Sequence, residues 1–253
     1  MRVTRIVLVS VVLCLLLTAA ADATSLGQVR LKYASVLPRQ AAKVWCEGSY
    51  VGAVLTGQYN LQLDPNFAYW GEGVNVMSAA DSSNRIGTFC ADVLQWAPSD
   101  YDVYDVYHPE LAPIGDGNTP IGIEKAWDLR RLFDQHLAAV CTNDGAAAFQ
   151  ACVWEIVYEA PANAYSVTTG DLHMDYYWGS GWLGTADTWL GNLGTETPNI
   201  GLRVLANTDT QDFALYVPGL PADPIPEPVT TLGLLLGGAA LTAYSRRRRK
   251  ANP

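Results

Sequence analysis

Residues 146–158, AAAFQACVWEIVY, are the stretch around which the rest of this chain is organised. They hold neither Pro nor Gly, follow the turn-forming Asn143-Asp144-Gly145, and open on three strong helix formers. Phe149, Val153, Ile156 and Val157 recur at helical spacing, so the segment reads as a helix with one buried apolar face. Gln150 lies in that pattern. A buried primary amide without partners costs about 1–3 kcal/mol, so its ordinary fate is to turn sideways and bond to backbone or water.

The two ends read as targeting segments. Arg2 and Arg5, an apolar run over 6–17 and Ala21-Asp22-Ala23 make residues 1–23 a secretory signal peptide with an Ala-x-Ala cleavage site. Pro226-Glu227-Pro228 precedes an apolar run over 229–244 and five basic residues, Arg246 to Lys250. That run is a little short for the roughly 20 residues of a membrane span, and the basic cluster stays cytoplasmic by the positive-inside rule. The order Pro-Glu-Pro, apolar helix, Arg-rich tail resembles the PEP-CTERM sorting signal of Gram-negative bacteria, recognised and removed by an exosortase membrane protease. The alternative is a single-pass tail anchor. The resemblance implies an exported protein, membrane-associated before sorting and then at the cell surface or in the extracellular matrix.

Between the ends lie a globular domain at 24–217 and a proline-rich linker at 218–225. Residues 24–228 carry nine Lys and Arg against 24 Asp and Glu, a net charge of −15. So acidic a surface repels phosphate backbones and argues against nucleic acid as a partner. Residues 24–39 are too mixed to assign. Strand patterns begin at Val44, and over 57–64 Tyr59, Leu61 and Leu63 alternate with Gln58, Asn60 and Gln62. Strands are also expected at 86–94, 100–107, 200–205 and 212–217. Residues 123–140 read as a helix with Arg130 and Arg131 facing outward, Pro161 ends the helix that follows, and 185–193 as a short helix capped by Thr185 or Asp187. The expected fold is α+β: an antiparallel β-sandwich or barrel with a helical insertion, flanked by the signal peptide and a C-terminal apolar helix.

Phe89-Cys90-Ala91-Asp92, followed by Phe149-Gln150-Ala151-Cys152-Val153-Trp154, resembles the paired motif of bacterial thioester domains. In that family the two motifs supply the ends of an internal Cys–Gln thioester. The resemblance implies that Cys90 gives the thiol and Gln150 the acyl group, and that the product couples to amines on a surface. Cys152 stands where the family usually has Ala. Trp154, one turn after Gln150, is placed to cover the bond, with Leu132 or Phe133 as further candidates. The resemblance describes a single-event adhesin and not an enzyme, with no cofactor.

Other features are weaker. Cys46, Cys90, Cys141 and Cys152 allow several disulfide pairings in an oxidising compartment. His173-x-Asp175, on an expected loop, is a poor metal corner, and the aspartates of 100–107 lack an EF-hand's spacing. The aromatics of 171–193 fit a core better than a sugar-binding platform. Two alternative functions therefore stand beside the adhesin: a non-reactive protein of the extracellular polysaccharide or biofilm matrix, and a carbohydrate-binding module tested at Trp182.

Overall fold

The computed structural model describes residues 25–114, 119–160, 162–177, 181–196, 198 and 200–220. The signal peptide at 1–23, the sorting residues Pro226, Glu227 and Pro228 with their tail, and Pro161 lie outside them. The chain divides into two compact units, Met1–Ala222 and Asp223–Pro253; only the first falls among the described residues. No helix among them is long and apolar enough to cross a membrane.

One strand organises the sheet. β1 (Gly27–Cys46) pairs through Gly27–Leu31 with β5 (Asp102–Tyr107), and from Leu31 to Cys46 with β2 (Ser49–Leu63). β2 pairs with β4 (Arg85–Cys90), β4 with β10 (Phe213–Tyr216), β10 with β9 (Leu202–Ala206), and β9 with β5. Every pairing is antiparallel, and the chain of neighbours returns to β1, so the hydrogen bonding runs round a ring of six strands. β3 (Trp70–Gly71) and β8 (Leu172–Tyr176) pair with β1 outside that ring. β6 (Pro113–Ile114) and β7 (Thr119–Pro120) form a separate ribbon. The alternation in the sequence at 57–64 is visible in β2, where Tyr59, Leu61 and Leu63 are buried and their neighbours half-buried.

Residues 27–39, unassigned from sequence, are strand because Val29, Leu31 and Val36 point into the core. Register shifts between Tyr33 and Ser35 and between Val36 and Arg39 absorb the irregular stretch around Pro38. β8 is likewise a strand where a loop was expected, and its His173 ring stacks on Trp45 at 5.2 Å.

α1 (Glu72–Ser78) is short, and α2 (Ile123–His136) passes into a 3₁₀ turn over Leu137–Cys141. Arg130 faces inward, against expectation, and is fully buried. Its charge is met by Glu110 at 3.0 Å and its guanidinium lies over the Trp127 ring, which is the condition for burying a cation. α4 (Trp182–Gly191) begins at Gly181, earlier than expected. Thr185 and Asp187 do not cap it; Asp187 instead accepts the Val167 N–H at 2.9 Å.

α3 (Asn143–Tyr158) starts before the expected turn, because Thr142 caps it by accepting the Gly145 N–H at 3.0 Å. A Cβ at Gly145 would sit 2.0 Å from the Ala139 carbonyl, so only glycine lets this end of the helix lie against the preceding turn. Every residue from Gly145 to Val157 is buried, where one apolar face was expected. The helix packs on β1, β2 and β4 and is covered by α2 and α4, and the run Ala146, Ala147, Ala148 and Ala151 lets these neighbours approach. A helix enclosed in this way has to be apolar all round.

Candidate functional site

Cys90 is the last residue of β4, and Phe213 of β10 faces it across one side. Ala91 N–H bonds to Asp212 on that side. Backbone groups alternate along a strand, so the N–H and C=O of Cys90 point the other way, toward β2. The pairing of β2 with β4 has already stopped at Thr88. Gln150 takes the vacant position. Its Oε1 accepts the Cys90 N–H at 2.8 Å, and its Nε2 donates to the Cys90 carbonyl at 2.7 Å. The carboxamide thus stands in for the next residue of a neighbouring strand.

Trp154 lies one turn further along α3, and its indole N–H donates to the Cys90 sulfur at 3.1 Å. One turn beyond that, the Tyr158 hydroxyl donates to Asp92 Oδ1 at 2.5 Å. Residues 150, 154 and 158 therefore form a stripe that meets the end of β4 with three polar groups. The Cys90 thiol donates to the Asp92 backbone carbonyl at 3.0 Å, and Gln211 Nε2 bonds to the same oxygen. Asp92 is buried; its Oδ1 also accepts the Leu94 N–H, and its Oδ2 has no hydrogen-bond partner among the described residues.

The aromatic neighbours hold the register. Phe89 and Phe149, each preceding one of the two key residues, lie 4.3 Å apart, and Phe133 packs edge-on to both. Phe133 therefore clamps the two elements together.

Cys90 and Gln150 are both fully buried. Burial pushes the Cys90 thiol pKa well up, opposed by the Trp154 N–H and raised further by the Asp92 charge. The group rests as a neutral thiol. Tyr158 is held as a phenol by burial and by Asp92. Cys152 turns away from this site, with its sulfur directed at the Ala186 carbonyl of α4 at 3.5 Å. The four cysteines among the described residues, Cys46, Cys90, Cys141 and Cys152, are free, and of these only Cys141 is exposed.

Sequence reasoning paired Cys90, Gln150 and Trp154, which the fold brings together. It missed Asp92 and Tyr158 as partners, although the spacing 150, 154, 158 is a helical stripe open to inspection. Trp182 is buried, so it forms no sugar platform.

A cleft of about 390 Å³, with Trp154 among its lining residues, opens between β2 at 51–55 and the segment 93–97. No family model, curated protein or solved structure matches the chain.

Proposed function

We propose that this chain is an exported surface protein whose domain forms an internal thioester between Cys90 and Gln150 and spends it on an amine of a neighbouring surface. The observation that carries this reading is the convergence of three contacts on one residue: the Gln150 carboxamide on both backbone groups of Cys90, and the Trp154 N–H on its sulfur.

Each contact has a part in acyl transfer. The Cys90 N–H polarises the Gln150 carbonyl and stays bonded to its oxygen as negative charge develops there. The Cys90 sulfur attacks Gln150 Cδ, forming an S–C bond while the C–N bond breaks. The thiol proton leaves with the nitrogen, as ammonia. A neutral thiol needs a proton carrier for this exchange, and we assign that part to the buried Asp92 carboxylate, whose charge acts on the Cys90 thiol and whose Oδ2 has no partner among the described residues. Fixing both partners on packed elements supplies effective molarities of roughly 10⁵–10⁸ M. In the second step a primary amine attacks the same carbon, an amide forms, and Cys90 leaves with the proton as a thiol. Exosortase sorting through Pro226, Glu227 and Pro228 would deliver the domain to the cell surface or matrix.

Intact mass of the purified domain tests the reading. The expected result is a deficit of one ammonia, absent in Cys90→Ala, and replaced by an adduct after treatment with methylamine. Full mass in the untreated protein overturns it. One observation favours the second reading, an inert matrix protein: both polar ends of Gln150 are satisfied, so it already serves as a brace between α3 and β4.

A further inference from the structure

Trp154 has two faces with different duties. Its indole N–H holds the Cys90 sulfur, while its ring forms part of the wall of the 390 Å³ cleft. Tyr33, Val54, Tyr59, Leu94 and Trp96 are among the other wall residues, and none of the residues lining the cleft carries a formal charge. Gln95 and Gln211 add two neutral amides to the lining, while Trp96, 85% exposed, and Leu94, 56% exposed, present apolar side chains to solvent.

A wall of this kind has a chemical consequence for an arriving amine. An ammonium ion loses hydration there and meets no charged group in the wall, which favours the neutral amine; the Asp92 carboxylate is not in the wall, and its Oδ1 is bonded to Tyr158 and to the Leu94 N–H. The neutral form is the nucleophile. The net charge of −15 over residues 24–228 draws cations to the surface, and the apolar cleft then strips the proton as the stem is buried.

We infer that this cleft is the acceptor site of the Cys90–Gln150 acyl group, and that it selects a primary amine on an unbranched alkyl stem, as at the end of a lysine side chain. The inference rests on the thioester reading. The amine enters past Leu94 and Trp96, passes along the Trp154 ring, whose N–H stays on the sulfur, and attacks Gln150 Cδ; the C–N bond forms, the C–S bond breaks, and the amine proton passes to sulfur.

The test uses two amines of nearly equal basicity, methylamine and n-butylamine, with adduct formation followed by intact mass. A small soluble thioester gives the intrinsic ratio of their rates. The protein is expected to take butylamine roughly tenfold faster than that ratio allows, since a few buried methylenes are worth at least that much. Ala53 is exposed on the cleft wall, so Ala53→Trp fills the space without disturbing the core and should abolish the preference for butylamine over methylamine. A protein that shows the ammonia deficit yet follows the intrinsic ratio overturns the cleft assignment alone. A protein without the deficit overturns the thioester reading and the acceptor site with it.

Discussion

Gln150 is the residue on which two interpretations divide, and its removal can be measured directly. Gln150→Ala leaves the N–H and C=O of Cys90 buried without partners, at about 1–3 kcal/mol each. A loss of about 2–5 kcal/mol in urea unfolding is expected relative to Cys90→Ala, which keeps both hydrogen bonds. A loss under 1 kcal/mol would mean that water or a shifted strand replaces them. Trp154 invites a different substitution. Trp154→Phe keeps an aromatic wall and removes the N–H that stabilises sulfur as it leaves. Amine coupling should slow by about 10–100-fold, as expected for one hydrogen bond to a developing charge, and equally for short and long amines. A change in amine preference with no common slowing would assign Trp154 to the wall only.

At the scale of the element, α3 carries more than its acyl donor. Glu155 is buried on the same helix, with Oε1 accepting the Ser166 N–H and Oε2 without a hydrogen-bond partner among the described residues. Burial raises its carboxyl from 4.5 to about 8, the Ser166 N–H opposes this, and Glu159 and Asp187 add to the rise. The folded state therefore binds this proton more tightly than the unfolded chain. The resulting stability is fully present below about 4.5 and is lost as the pH climbs through about 8. Unfolding midpoints should fall across that window, and the slope should flatten in Glu155→Gln. An unchanged slope in that variant would place the ionisation elsewhere.

For the whole molecule, thiol chemistry reports the state of the site. Of the four cysteines among the described residues only Cys141 is exposed, so a maleimide should add once to the native domain without its signal peptide. In denaturant it should add three times if the thioester is intact, and four times if it is not. Two or more native additions would mean that the core opens readily. The same view shows what could be read from the letters. The α3 stripe and the alternation of β2 were legible because each depends on a local period. β1 was not, since register shifts flank Pro38 and its burial depends on partners as distant as β5. Arg130 resembled a surface cation until Glu110, twenty residues away, was seen to meet it. The cleft is assembled from segments around 33, 51–55, 93–97 and 154, and no periodicity links them.

The way Gln150 sits against Cys90 also sets a direction in time. Bonding to both backbone groups of one residue uses the amide hydrogen on the same side as Oε1. In a secondary amide of the ordinary trans form, that place belongs to the substituent, and the cis form costs about 2.5–4 kcal/mol. A molecule that has coupled to an amine therefore cannot settle back into its resting shape: the catch, once sprung, stays sprung, and its cargo is held outside the strand tip.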